Sequence, residues 1–267
     1  MAVLRLENPH KYGPLSTGRH RPVRGSRYQL YWPKARDLAA SFVARAGASG
    51  YSAIVLTLDT WMLGWRPRDL QNAYLPFLAG EGVANYFSDP VFRAALERTP
   101  EEDPGPAFGL WAEQFSNPAI TWEDLEWLRA QTALPIVLKG ILHPDDARRA
   151  REAGVDGVIV SNHGGRQVDG AIGALDALGA VSDAIGGDLA VIFDSGIRTG
   201  ADIVKALALG ADAVCLGRPY MWGLALGGQA GVEHVLRGLL AELDLTLALS
   251  GYTAVAQVDR DALKPTA

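Results

Sequence analysis

Three features of the sequence predict an α/β fold of the (β/α)8 TIM-barrel type. Short apolar runs alternate with helical patterns through the second half of the chain, as a parallel sheet requires. The same helix-to-strand connection occurs at residues 150–158 and 206–214, 56 positions apart, which suits two barrel units. Polar residues follow the apolar runs, and the carboxyl ends of barrel strands are where this fold carries its chemistry.

The composition predicts one globular domain of ordinary polarity. The 267 residues are 48% hydrophobic and 21% charged, and barrels of this length form a single domain. The net charge of −5 lacks the basic footprint of a nucleic-acid-binding protein. Because the chain has no uncharged apolar run of eighteen residues and no hydrophobic signal core at its start, we expect a cytoplasmic protein without membrane contact.

The cysteine content excludes an internal disulfide, because Cys215 is the only cysteine. It lies in the apolar run 213–216, so we expect a buried and inert thiol. No metal site is predicted.

Residues 1–27 differ from the rest of the chain. They hold six arginines or lysines and one acid, among closely spaced prolines and glycines that exclude a sustained amphipathic helix. This pattern favours a disordered tail over a transit peptide or a phosphate-binding arm. We therefore expect an irregular basic N-terminal segment over 1–27 and the functional domain over 28–267.

In the first part of this domain, the sequence predicts two strands, two helices and a long lid. The strands are expected at 28–32 and 53–59, with an amphipathic helix at 37–48 between them. Residues 60–118 are rich in Trp, Pro and Gly and predict only a short helix near 90–97, so we expect a lid or binding loop. A helix at 122–131 follows, with Thr121 as its N-cap.

The second part predicts a regular alternation that ends in two closing helices. Its strands are expected at 135–139, 157–161, 190–194 and 213–217. Its helices are expected at 144–153, 175–185, 200–209, 222–231 and 235–249.

The predicted strand ends bring polar groups together at one mouth. Lys139 lies at such an end, where a buried ammonium requires an anionic partner or a ligand, or serves as a Schiff-base lysine. His163, with Arg66 and Arg166 as carboxylate clamps, favours a small hydroxy acid as the substrate. Two glycines and two arginines after the last two strands predict a phosphate site: Gly196, Arg198, Gly217 and Arg218.

The run Ser-Asn-His-Gly-Gly-Arg-Gln at 161–167 resembles the signature of the FMN-dependent α-hydroxy-acid dehydrogenases and oxidases. The resemblance extends over about 28–249. Within the family, residues 57–68 and 73–77 most resemble the lactate 2-monooxygenase branch. The resemblance implies a TIM barrel that binds FMN and oxidises a 2-hydroxy acid.

The resemblance also implies a role for each matching residue. His163 is the implied active-site base, with Asp59 stabilising its imidazolium, Arg66 and Arg166 binding the substrate carboxylate, and Tyr31 near the substrate hydroxyl. The residues implied to bind FMN are Gln29, Thr57, Lys139, Ser161, Asp194, Gly196, Arg198, Gly217 and Arg218.

The activity expected from this resemblance is oxidation of a small (S)-2-hydroxy acid by O2. L-Lactate is the expected substrate, and the monooxygenase branch implies its oxidative decarboxylation. The alternatives are a simple oxidase or dehydrogenase that releases the keto acid, a catalytically inactive fragment, and a lysine aldolase or isomerase barrel. The family also implies a homo-oligomer, either a tetramer or an octamer.

The sequence departs from the family pattern before residue 28. Only six strand–helix units are recognisable, and 27 irregular residues are too few for two more. We therefore expect an incomplete barrel that lacks the N-terminal part of the family pattern. An open sheet of six strands leaves two apolar edges, which predicts low stability, aggregation or rescue by a partner.

Overall fold

The computed structural model describes residues 2–3 and 25–264, and contacts divide the chain into two compact units. Of the described residues, the N-terminal unit comprises 25–138 and 166–168. The C-terminal unit comprises the described residues 2–3, 139–165 and 169–264. The N-terminal segment predicted over 1–27 lies mostly outside the described residues.

The N-terminal unit is built on parallel strands that lie next to one another in the order β2, β3, β4. Tyr28 pairs with Ile54, and Leu30 pairs with Leu56. The Ile54 amide donates to the carbonyl of Pro135, just before β4. The elements are β2 (Tyr28–Leu30), α1 (Arg36–Ala48), β3 (Ile54–Thr57), α2 (Pro67–Gln71), α3 (Ala84–Phe87), α4 (Pro90–Ala94), α5 (Pro104–Phe115), α6 (Asp124–Gln131) and β4 (Ile136–Lys139), of which the last residue, Lys139, is counted with the C-terminal unit.

Helix α1 forms one residue earlier than its sequence pattern predicts. The apolar positions of the pattern, Leu38, Phe42 and Ala46, are all buried, as the spacing of a helical face requires. Helix α6 begins at Asp124, so the predicted N-cap Thr121 is wrong. The Thr121 amide and hydroxyl instead donate to the Asp124 carboxylate, which closes the turn before the helix.

The segment 60–118 contains more helix than the sequence predicts. The expected helix near 90–97 is α4, where the Asp89 carboxylate accepts the Val91 and Phe92 amides. The twelve-residue α5 was not predicted, because its prolines and glycines argue against a helix. Pro104 is tolerated in its first turn, and Trp111 and Phe115 pack against Phe77 with ring centroids 4.7 and 5.9 Å apart.

The C-terminal unit repeats a strand–helix pattern around three fully parallel strands. Ile159 pairs with Ile192, and Phe193 pairs with Val214. The strands are almost entirely buried, as parallel strands covered by helices are. The elements are α7 (Pro144–Glu152), β5 (Gly157–Val160), α8 (Ala174–Ile185), β6 (Ala190–Phe193), α9 (Gly200–Ala208), β7 (Ala213–Leu216) and α10 (Arg218–Leu249).

The outer edge of β7 is paired over two residues. Strand β1 (Ala2–Val3) runs antiparallel to it, with Ala2 opposite Leu216 and Val3 opposite Cys215. The expectation of an open edge here is therefore wrong for these residues, and irregular structure over 1–27 does not extend to Ala2–Val3. Cys215 is buried, as predicted.

Helix α10 corrects the position of the predicted break between the closing helices. The helix is interrupted at Gly227 and at Gly228, whose φ of 56° is left-handed, and not near 232–234. The two helical segments approach closely, because a Cβ on Gly223 would lie 2.5 Å from the Gly231 carbonyl oxygen. The break falls at a pair of glycines, and the two segments that it joins meet at Gly223 and Gly231.

The predicted fold class is confirmed. Among the described residues, six parallel strands are each followed by helix, which is the repeating unit of a (β/α)8 barrel. No helix in the described part of the chain combines the length and the apolarity that crossing a bilayer requires.

Candidate active site

In the C-terminal unit, strand ends present a partly buried polar network that we call the serine hub, comprising Lys139, Ser161, Asp194 and Ser195. The Lys139 ammonium donates to Ser161 Oγ at 2.9 Å, and the Ser161 hydroxyl donates to Asp194 Oδ2 at 2.7 Å. Lys139 Nζ also lies 3.5 Å from Asp194 Oδ2, and only 4% of the lysine side chain is exposed. The carboxylate supplies the anionic partner that a buried ammonium requires.

His163 lies in a left-handed turn directly beside the serine hub. His163, Gly164 and Gly165 have φ values of 56°, 68° and 71°. The His163 amide donates to Ser161 Oγ at 3.1 Å, and the Gly165 amide donates to the Asn162 carbonyl at 3.0 Å. Left-handed residues other than glycine are strained, so these bonds hold the histidine backbone in an unfavourable conformation.

The predicted phosphate residues occupy the loops after β6 and β7. The Arg218 guanidinium donates to the Gly164 carbonyl at 2.9 Å, which links it to the histidine turn. Arg198 lies over the Trp222 ring at 5.3 Å and donates to the Ile197 carbonyl. Among the described residues, Arg218 is therefore the arginine that contacts the histidine turn, whereas Arg198 contacts its own loop and Trp222.

In the N-terminal unit, Gln29 links two strand ends. Its side-chain amide donates to the Tyr31 hydroxyl and to Thr57 Oγ1, both at 3.0 Å. Thr57 is buried at the end of β3, and Gln29 lies in the neighbouring β2. The predicted side chains of these two strands are therefore brought together. Asp59, two residues beyond Thr57, accepts a hydrogen bond from the Thr60 hydroxyl at 3.2 Å.

A second group in the N-terminal unit, which we call the arginine cluster, comprises Arg66, Asp69, Arg166 and Gln167. Arg166 Nη2 lies 3.0 Å from Asp69 Oδ2, and Arg66 Nη1 lies 3.9 Å from the same oxygen. Arg66 Nη2 also donates to Gln167 Oε1 at 2.8 Å. Both predicted carboxylate clamps thus already contact one carboxylate of the protein.

Arg66 is the more constrained of the two arginines. Burial and the nearby Arg166 charge lower the pKa of its guanidinium, while Asp69 opposes the shift. Its Nε is buried and has no hydrogen-bond partner among the described residues. An unsatisfied donor beside a second cation suits an anionic ligand.

Three residues of these groups were missed by the sequence interpretation: Asp69, Gln167 and Ser195. Asp69 could have been found, because it follows Arg66 by three residues in a segment that starts a helix at Pro67. Gln167 is the last residue of the 161–167 signature, and the resemblance implies no role for it. Nothing in the local pattern identifies Ser195, whose significance lies in its backbone conformation.

The residues of the C-terminal unit fit FMN, the cofactor that the sequence resemblance implies. The guanidinium groups of Arg198 and Arg218 and the start of the long helix α10 suit a phosphate. At Gly196 and Gly217, a Cβ would meet no other described atom within 4 Å, so the backbone there is open to a ligand. The buried ammonium of Lys139 suits an electron-rich ring edge.

Comparison with known proteins assigns a family to nearly the whole chain. The family described as FMN-dependent dehydrogenase matches residues 19–265. An FMN-dependent α-hydroxy acid dehydrogenase of Penicillium citrinum is 50% identical over 89% of this chain and 60% of its own length. An L-lactate oxidase of Lysinibacillus sphaericus is 48% identical over 85% of this chain and 58% of its own.

Solved structures give the same result. Mandelate oxidase with benzoyl-formic acid superposes with a TM-score of 0.70 at 40% identity, covering 87% of this chain and 61% of that one. The chain spans about 60% of the length of the curated relatives it matches.

Proposed function

Because the chain belongs to the FMN-dependent dehydrogenase family, we propose that it binds FMN and oxidises a small (S)-2-hydroxy acid, with L-lactate as the first candidate. The predicted family is confirmed, and FMN is the cofactor of that family. The observation that carries the proposal is the buried Lys139, held by Ser161 and Asp194 beside the His163 turn. The same family membership leaves the Schiff-base alternative for Lys139 without support.

In the proposed reaction, the arginines select the substrate by its carboxylate. Arg66 and Arg166 already contact the Asp69 carboxylate, which indicates that their guanidinium groups can receive a substrate carboxylate in its place. Tyr31 is assigned to the substrate hydroxyl. Its hydroxyl accepts from the Gln29 amide, which holds the phenol oxygen at the end of β2.

The remaining residues handle the proton and the cofactor. His163 accepts a proton from the substrate, and Asp59 stabilises the imidazolium that results. The residues that we assign to FMN are those that the sequence resemblance implies: Gln29, Thr57, Lys139, Ser161, Asp194, Gly196, Arg198, Gly217 and Arg218. When bound, FMN accepts the two electrons that leave the substrate, and O2 takes them up afterwards.

For the product, we propose oxidative decarboxylation, in which lactate and O2 give acetate, CO2 and water. The segment 60–118, with its packed Phe77, Trp111 and Phe115, is the proposed lid that delays product escape. The second candidate is release of pyruvate and hydrogen peroxide. It is favoured by the identity of 48% to a protein named L-lactate oxidase.

The test is anaerobic titration of the purified chain, loaded with FMN, with L-lactate. The proposal predicts that the visible flavin absorbance bleaches in the wild type and that His163→Asn binds FMN without bleaching. On readmission of O2, acetate and CO2 support decarboxylation, whereas pyruvate with peroxide supports the second candidate. No bound flavin, or no bleaching at any lactate concentration, contradicts the proposal and leaves an inactive fragment.

A further inference from the structure

Ser195 is held in a backbone conformation that favours glycine. Its φ of 88° lies in the left-handed region, where a Cβ is strained. It is one of three residues other than glycine with positive φ among the described residues, and His163 is another. Since glycine would relieve the strain, a serine at this position indicates that its hydroxyl has a use.

The Ser195 hydroxyl connects the histidine turn to the serine hub. The Gly164 amide donates to Ser195 Oγ at 2.9 Å. Ser195 Oγ also lies 3.4 Å from Ser161 Oγ.

Each amide of the strained turn has a separate acceptor. The His163 amide donates to Ser161 Oγ, the Gly164 amide to Ser195 Oγ, and the Gly165 amide to Asn162. Ser195 therefore holds the middle residue of the turn, directly after His163. Without this acceptor, the Gly164 amide loses the bond that opposes relaxation of the turn.

We propose that Ser195 is a positioning residue for His163, holding the 163–165 turn left-handed through its hydroxyl. The inference deepens the proposed function and rests on it for the role of His163. Its structural part, the hydroxyl holding the turn, is testable without flavin or substrate.

The experiment is amide hydrogen exchange, followed by NMR on the 15N-labelled full chain without FMN, in wild type and three variants. Ser195→Gly removes both the hydroxyl and the strain, whereas Ser195→Thr keeps the hydroxyl and increases the strain, because β-branched residues disfavour left-handed φ. Ser182→Ala is the control, since it removes a hydroxyl that contacts the Gly210 carbonyl far along the chain.

The two Ser195 variants should separate global stability from exchange at Gly164. Ser195→Gly should exchange Gly164 roughly tenfold faster without loss of global stability. Ser195→Thr should keep the Gly164 amide protected, although the protein unfolds at a lower denaturant concentration. Ser182→Ala should leave the exchange rate of the Gly164 amide unchanged. Unchanged Gly164 protection in Ser195→Gly, or equal loss in the Thr variant, overturns the proposal.

A second readout separates positioning from the proposed function. In the FMN-loaded chain, Ser195→Gly should retain the wild-type flavin affinity and the wild-type dependence on lactate concentration, while anaerobic bleaching slows about tenfold. Equal bleaching rates in Ser195→Gly and wild type contradict the positioning role. If wild type does not bleach, the proposed function fails, and the exchange result still decides whether the hydroxyl holds the turn.

Discussion

The serine hub and the arginine cluster are both built from charged side chains, but they are held in different ways. In the hub, Lys139 is 4% exposed and its partners follow directly from buried strands. In the cluster, Arg166 is 39% exposed and its partner Asp69 lies on the short helix α2. The buried strands therefore hold the hub side chains in place. The positions of the arginine side chains depend instead on the carboxylate that they contact.

The largest expected effect is on the hub. Lys139→Met leaves the Asp194 carboxylate beside Ser161 without its cation, so the free energy of unfolding should fall by about 3 kcal/mol. Urea unfolding measures the change. Lys205→Met is the control, because that lysine is exposed near Asp202 and its loss should cost less than about 0.5 kcal/mol. Equal losses in the two variants would remove the distinction between buried and exposed charges.

A smaller loss of stability is expected where the backbone holds the arginine cluster. A Cβ on Gly64 would lie 2.5 Å from the Gln167 carbonyl oxygen, so Gly64→Ala should destabilise by about 2 kcal/mol. Gly109→Ala in α5 is the matched control, since its Cβ meets no other described atom within 4 Å and should stabilise by about 0.5 kcal/mol. Thermal unfolding should therefore move in opposite directions in the two variants.

The cluster itself should respond through binding more than through stability. Asp69→Asn removes the carboxylate that both arginines contact, so a small dicarboxylate such as oxalate should bind about three-fold more tightly. Isothermal titration at low and high salt measures this, and the gain should shrink at high salt. Weaker oxalate binding would show that Asp69 orients the arginines and does not compete for them.

The smallest effect is expected at an exposed ion pair. Two hydrogen bonds from Arg93 at 2.9 Å lower the pKa of Glu101 to about 2. A lowered carboxyl pKa adds stability above the unfolded value of about 4.3, and this is lost as the pH falls toward 2. The melting temperature of Glu101→Gln should therefore lie slightly below wild type at neutral pH and converge with it in acid. A difference as large as that of Lys139→Met would contradict the role of burial.

The hub was largely predictable because strand ends are readable from sequence. Buried apolar runs ending in Lys139, Ser161 and Asp194 identify neighbouring parallel strands, and the ends of such strands meet. The arginine cluster was only half predictable, because Gln167 reaches Arg66 through loop geometry, whereas the i,i+3 spacing of Arg66 and Asp69 is readable from the sequence.

Helix α5 and the role of Ser195 were not predictable for a different reason. Packing of Trp111 and Phe115 overrides the weak helix propensity of a segment with two prolines and two glycines. The left-handed φ of Ser195 arises from tertiary contacts, and serine gives no local sign of it.

The central claim is that FMN binds through Lys139, Ser161 and Asp194 while the arginine cluster receives the substrate carboxylate, and one titration tests it most directly. FMN-loaded Arg166→Met is titrated anaerobically with L-lactate beside wild type and the exposed control Arg68→Met. We predict wild-type FMN affinity in all three proteins. In Arg166→Met alone, half-maximal bleaching should require at least tenfold more lactate. Equal bleaching in Arg166→Met and wild type would contradict the account.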